Sequence, residues 1–197
     1  LPKIYLASSS PRRRDILNLI RLPHLVLDID VDESVPPAMS APEQVELLSS
    51  RKAAYAVRLL SHGLVIAADT VVALDGEVLG KPADEAKALG MLERLQGRTH
   101  EVFTGVTVWD IAVGRAVTGH EHTEVTMRAA GREELLKYIA TGEPMDKAGA
   151  YGIQGLGSVL ITGIRGCYFN VMGLPVYKLT RMLKELGIDV SEYWRES

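Results

Sequence analysis

Three serines and a proline run straight into three arginines near one end of the chain: Ser8-Ser9-Ser10-Pro11-Arg12-Arg13-Arg14. Serine before proline is a helix-start pattern, with serine as N-cap and proline in the first turn. A helix N-terminus carries unpaired N–H groups and partial positive charge, so it favours acidic neighbours. Arginines there oppose the dipole by about 0.3–1 kcal/mol each. Helix stability alone does not account for them. Free amides, hydroxyls and forked guanidinium groups do suit a phosphate. The competing reading is a solvated basic turn whose arginines pair with surface carboxylates.

Other chemistry-bearing residues stand in equally odd places. Asp69 interrupts the apolar run Val65-Ile66-Ala67-Ala68-Asp69-Thr70-Val71-Val72-Ala73. An unpaired carboxylate in such a strand would cost several kcal/mol in lost hydration, on the order of that for any buried ion. It must pair with a cation, bind a metal or face a cleft, where it could hold Mg²⁺ or orient a water. Lys52 falls on the apolar stripe of Val45, Leu48, Ala56 and Leu59. It either snorkels to the helix edge or points into a cleft. Lys81, between Gly80 and Pro82, is held in an extended backbone that would aim its side chain well. Asp146 to Gly157 is dense in glycine, which lets backbone approach a ligand closely. The same density fits a plain turn-rich connection. No Gly-Lys-Ser/Thr follows, so it is not a Walker A loop. Glu33 is a further acidic loop candidate. His120 and His122 could share one strand face, but no third ligand is near, and they read as surface residues.

The elements that must position these residues follow from periodicity and turn chemistry. Short strands are expected at Ile4–Ala7 and His24–Ile29, with a helix between them through Ile20. An amphipathic helix covers Pro42–Leu60. Leu64–Leu74 has the continuous apolar character of a strand buried on both faces. Asp75-Gly76 turns it into a return strand, Glu77–Leu79. Pro82–Leu95 is helical, Glu101–Ile111 and Ala116–Met127 are strands, and Arg132–Ala140 is a helix. Thr141–Gly157 reads as loop. Ser158–Ile164 and Cys167–Val171 read as a hairpin, and Pro175–Leu186 as the last long helix. Mixed hairpins and crossovers predict an α/β or α+β fold with a mixed sheet.

Composition sets the outer limits. The chain has 197 residues, 47% of them apolar, which suits one domain spanning 1–197 or two close lobes around a cleft. Its net charge of -3 argues against a broad nucleic-acid surface but not against a small basic pocket. The single cysteine, Cys167, cannot form an intrachain disulfide and reads as a packed strand residue. No segment is long and apolar enough to span a bilayer, and no signal-peptide pattern is present, so a cytoplasmic protein without membrane contact is expected.

In order along the chain, these segments resemble the Maf family. Leu6-Ala7-Ser8-Ser9-Ser10-Pro11-Arg12-Arg13 is similar to its S-x-S-P-R-R signature. Ala68-Asp69-Thr70, Gly80-Lys81-Pro82, Thr99 to Gly105, Asp146 to Gly155 and Gly173-Leu174-Pro175 match further family blocks. Gln96 stands where the common pattern has serine, at a helix end. The resemblance implies an inosine-triphosphatase-like (Maf/HAM1) fold with two lobes around a deep cleft. It implies hydrolysis of a nucleoside triphosphate to monophosphate and pyrophosphate with a divalent metal, Mg²⁺ or Mn²⁺, in a cytoplasmic homodimer. Asp69 matches the general base. Ser8, Arg13, Glu33, Lys52, Lys81 and Gln154 match phosphate-, metal- or substrate-contacting positions, with Glu33 and Asp69 as the metal candidates. Arg12, Thr70 and Gln154 match the branch that prefers dTTP and UTP. Two alternatives accompany this reading. One is a pyrophosphatase for another base class, dITP, XTP or 7-methyl-GTP. The other is a nucleotide sensor acting in septum formation without turnover.

Overall fold

The computed structural model describes residues 1–196. β1 (Ile4–Ala7), α1 (Pro11–Leu19) and β2 (Leu25–Leu27) form a parallel crossover unit. α2 (Ala41–Val57) leads to β3 (Leu64–Leu74), which lies parallel to β1 on its other side. β4 (Glu77–Leu79) folds back antiparallel on β3. After α3 (Glu85–Leu95) come two long antiparallel strands, β5 (Thr99–Asp110) and β6 (Arg115–Met127). α4 (Arg132–Ile139), β7 (Ile161–Arg165), α5 (Tyr168–Met172) and α6 (Val176–Glu185) complete the described elements discussed below. One mixed sheet results, in the order β2-β1-β3-β5-β6-β7, with β4 beside the far end of β3.

The central strand is incompletely flanked. On one side β3 pairs with β5 from Leu64 to Ala73. On the other, β1 pairs with residues 64–67 and β4 with residues 72–74. Residues 68–71 have no strand beside them on that edge among the described residues. Asp69 and Thr70 lie in this gap.

Both faces of β3 are covered, which explains its unbroken apolar run. Strand alternation sends Val65, Ala67, Val71 and Ala73 to the face under α2. Leu64, Ile66, Ala68, Val72 and Leu74 pack on the opposite face. Asp69 therefore interrupts the apolar layer on the α2 side, and Thr70 interrupts the layer on the other. Across the ladder Asp69 is paired with Gly105. A Cβ at Gly105 would stand 2.1 Å from the carbonyl oxygen of Val45 in α2. Glycine there lets the helix backbone settle onto the sheet above Asp69.

Several expected boundaries move, each for a local reason. The helix expected from Pro82 begins at Glu85, because Asp84 caps it by accepting the Lys87 amide at 2.7 Å. Only Leu25–Leu27 of the expected second strand pairs with β1. Ser158–Leu160 belongs to a 3₁₀ turn, and β7 starts at Ile161. Cys167–Val171 is not a strand. Cys167 is the N-cap of α5, and Asn170 is pulled inside, donating to Val102 O at 3.0 Å and Thr123 Oγ1 at 2.9 Å. A short apolar run cannot separate strand from helix by periodicity, and here the buried amide decides. The segment 141–157 contains the 3₁₀ turns Glu143–Asp146 and Ala148–Ala150, and a third begins at Gly155. Tyr193 is buried and donates to Pro2 O at 2.9 Å, while the half-exposed Trp194 donates to Ile20 O at 2.7 Å. No described helix is long and apolar enough to cross a membrane.

One buried titratable group ties the glycine-rich segment to the sheet. His100 Nε2 lies 2.7 Å from Tyr151 Oη, and Nδ1 has no hydrogen-bond partner among the described residues. Burial lowers the imidazole pKa from 6.5 to about 4. Between those values the unfolded chain binds the proton more than the folded one, so stability falls as the pH drops through this window. The contribution is on the order of 3 kcal/mol. Denaturant midpoints measured from pH 7 to pH 4.5 should fall more steeply for the wild type than for His100→Gln. Parallel curves would remove His100 from this role.

Candidate active site

The nine residues singled out in the sequence, from Ser8 to Gln154, line one cleft of about 760 Å³. It opens at the unpaired edge of β3. The N-terminus of α1 forms one wall and the glycine-rich segment another.

Arg13 is the most constrained of the basic groups. Its Nε donates to Gly173 O at 2.8 Å, Nη1 to Ser8 Oγ at 3.2 Å and Nη2 to Thr70 Oγ1 at 3.1 Å. Gly173 closes α5 with a φ of 114°, a conformation natural to glycine, and this aims its carbonyl at the guanidinium. Thr70 is backed by Thr104 at 2.9 Å, and Thr104 donates to Asn170 O at 2.9 Å. Three of the five guanidinium N–H groups are thus used for orientation, and one on each terminal nitrogen remains for a ligand. Burial lowers the Arg13 pKa and Arg12 adds to that, while Asp69 and Glu33 pull the other way. The first turn of α1 contains no acidic residue and Ser10 makes no side-chain cap bond. The positive end of that helix is left without an internal anion.

On the α2 face, Lys52 points into the cleft. Its ammonium donates to Asp69 Oδ1 at 2.6 Å and sits 2.7 Å from Glu33 Oε1. Asp69 and Lys52 keep only 13% and 12% of their side-chain surface exposed, against 62% for Glu33. The hydrogen bond from Lys52 holds the Glu33 pKa below the usual carboxylate range, against the cost of burial. Asp69 Oδ2 makes no hydrogen bond among the described residues. Glu33 and Asp69 are the carboxylate pair that could share a cation. No group of three or more His, Cys, Asp and Glu suited to a metal occurs among the described residues.

Lys81 lines the cleft, exposed and with no ion pair among the described residues. Gln154 is likewise exposed, and its side-chain amide makes no hydrogen bond among the described residues. Arg12 is only partly free, donating to Asp146 Oδ2 at 3.1 Å. Asp146 also accepts Lys147 Nζ at 2.7 Å. Burial works to raise its pKa, but these two cations lower it overall. Asp146, Lys147, Glu143 and Gln44 line the cleft too, and reasoning from residue type did not single them out. Asp146-Lys147 did carry a signal, a charged pair opening a glycine-rich run. Five cations and four carboxylates face one cavity in a chain of net charge -3. His120 and His122 lie elsewhere, beside Glu46 and Glu101 on one face of β6, and His122 stacks on Phe103.

A strand edge left open under a helix, a carboxylate in that gap and an uncapped basic helix end meet in one cleft, an arrangement whose chemistry suits a polyanion. The Maf-like protein family model matches residues 3–186, and the chain belongs to that family. It is 49% identical over 190 residues to the dTTP/UTP pyrophosphatase of Pelotomaculum thermopropionicum, covering 96% of this chain and 100% of the relative. It is 46% identical over 187 residues to that of Desulforamulus reducens, covering 95% and 98%. Identity to the Symbiobacterium thermophilum dTTP/UTP pyrophosphatase is 45% over 190 residues, covering 96% and 97%. The solved structure of the Staphylococcus aureus Ham1 protein is similar at 20% identity and a TM-score of 0.49, over 81% of this chain and 79% of that one.

The lysine between two carboxylates makes a direct prediction. Lys52→Met leaves Asp69 without its counter-charge, which costs about 3 kcal/mol for a largely buried pair. Glu33 is held ionised in the folded state, so its share of this stability is fully present above the ordinary glutamate value and is lost as pH falls below that value and through the lowered folded-state one. Denaturant unfolding should show the wild-type advantage at pH 7 and a shrinking one at acid pH. A pH-independent difference would mean that Lys52 stabilises by packing alone.

Proposed function

We propose that the chain hydrolyses dTTP and UTP to the monophosphate and pyrophosphate. The observation that carries this reading is the Lys52–Asp69–Glu33 cluster at the open edge of β3, facing the arginine-lined end of α1 within one cleft. The three relatives named above, alike over nearly their whole length, support the substrate class.

In this mechanism the triphosphate lies between α1 and the sheet, held by Arg13, Lys52, Lys81 and the Ser8 region. Asp69 takes a proton from water through its free oxygen. The water oxygen attacks the α-phosphorus, the bond from that phosphorus to the α–β bridging oxygen breaks, and pyrophosphate leaves with the bridging oxygen. The Asp69 proton then passes to solvent. The fixed cations stabilise the charge that builds on the phosphoryl oxygens and the leaving group. Glu33 and Asp69 would offer the hard oxygen donors that suit Mg²⁺ or Mn²⁺. A divalent cation held there would supply further charge neutralisation.

Base selection falls to Gln154 and Arg12, with Thr70 acting through the Arg13 it holds. An amide offers one acceptor and one donor face, which complements the N3–H and O4 of thymine or uracil.

Pyrophosphate release from dTTP, UTP, CTP, dITP, XTP and 7-methyl-GTP, with Mg²⁺ or Mn²⁺, tests the proposal. The expected result is turnover of dTTP and UTP, and a loss of at least about 100-fold in kcat for a folded Asp69→Asn protein. Binding without turnover of any of them would replace the enzyme with a sensor. Wild-type turnover by Asp69→Asn would remove Asp69 as the base.

A further inference from the structure

The glycine-rich wall of the cleft is folded around a carboxylate of the chain itself. Glu143 Oε1 accepts the Gly157 amide at 2.9 Å and the Tyr138 hydroxyl at 2.9 Å. Its Oε2 accepts the Leu156 amide at 2.9 Å. The Tyr138 hydroxyl in turn accepts the Gly152 amide at 3.1 Å. Three backbone N–H groups, from both ends of the segment Gly152–Gly157, therefore converge on one tyrosine–glutamate pair. Between the anchored ends stand Ile153 and Gln154, which face the cleft.

The glycines of this segment are explained by the same pair. Gly155 has a φ of 68°, and a Cβ there would lie 2.6 Å from Glu143 Oε2. A Cβ at Gly157 would lie 2.2 Å from Gly152 O and 2.6 Å from the Tyr138 hydroxyl. The chain can close on the carboxylate only without side chains at these positions. Burial works to raise the Glu143 pKa, but the Gly157 and Leu156 amides and the Tyr138 hydroxyl lower it overall, so the group stays ionised. Burial together with the Glu143 charge pushes the Tyr138 hydroxyl well up, so it stays a donor.

Glu143 also reaches the opposite wall. Its backbone carbonyl accepts Lys147 Nζ at 2.6 Å, and the same ammonium holds Asp146, which holds Arg12. One residue thus anchors the segment carrying Gln154 through its side chain and the Arg12 side through its main chain.

We infer that Glu143, with Tyr138, is a positioning residue for substrate discrimination: its carboxylate sets where the Gln154 amide stands in the cleft. This rests on the nucleotide reading of the site given above. No hydrogen bond or ion pair among the described residues joins this pair to Lys52, Asp69 or Glu33, so its loss should act on substrate binding rather than on bond cleavage.

Glu143→Gln keeps the size but must turn an NH₂ toward N–H donors, so it should fail where a mere packing role would tolerate it. Tyr138→Phe is the milder variant, removing the Gly152 link and one donor to Glu143. Steady-state kinetics with dTTP and with dITP, and amide hydrogen exchange on the nucleotide-free protein, read the two halves separately. For both variants KM for dTTP should rise about tenfold or more, with kcat within about threefold. Their kcat/KM for dITP should be nearly unchanged, so selectivity collapses. The Leu156 and Gly157 amides should be protected in the wild type and exchange rapidly in Glu143→Gln. Unchanged amide protection in Glu143→Gln overturns the anchoring role. Unchanged dTTP KM and selectivity, or an equal fall in kcat for both substrates, overturns the discrimination role. A wild type that turns over neither nucleotide overturns the enzymatic reading instead, and the exchange result still decides the anchor.

Discussion

A carboxylate in the middle of a buried strand is the constraint on which the rest of the site depends. Asp69 could not lie in β3 if that strand were paired along both edges and packed by apolar groups on both faces. The fold meets the requirement by ending β1 at Ala7, opposite Ala67, and ending β4 at Leu79, opposite Val72, which leaves an opening of four residues. α2 then brings Lys52 over the opening, and Gly105 allows that helix to approach closely enough. The lysine stabilises the carboxylate in the free protein, yet the opening keeps one carboxylate oxygen available. Stability and reactivity are reconciled by geometry rather than by a change of residue.

The other face obeys the same logic with neutral groups. Thr70 and Thr104 break the apolar layer there, but they are linked to each other, to Arg13 and to the Asn170 carbonyl. Buried polar groups joined in a complete chain cost little and hold their members firmly. The chain turns a flexible arginine into a fixed fork, with two of its N–H groups left unused among the described residues. The positive end of α1 lies beside it and has no acidic residue in its first turn. On the proposed reading the site meets a polyanion with its charges already fixed, which is how fixed charges contribute most to a transition state.

Much of this was legible in the residue types. Asp69 stood out because it broke an apolar run, Lys52 because it sat on an apolar stripe, and Arg12 and Arg13 because they opposed a helix dipole. Each was a local rule broken without a local gain, and such breaks collect at functional sites. The strands and most helices were readable for the complementary reason, that their periods were intact. What the residues did not reveal depends on distant partners. Glu143 looks like an ordinary acidic loop residue until its amide donors are folded around it. Asn170 looks like part of an apolar strand until Val102 and Thr123 draw it inward into a helical turn. Asp146 and Lys147 were visible as a charged pair, but their place opposite Arg12 follows only from the packed 3₁₀ turns.

On the proposed reading, this cleft directs water at the α-phosphorus. Turnover of dTTP in ¹⁸O-labelled water, followed by ³¹P spectroscopy of the products, tests it most directly. Attack at the α-phosphorus puts the label in the thymidine monophosphate and none in the pyrophosphate. Label in the pyrophosphate, or formation of a diphosphate with labelled inorganic phosphate, would contradict it.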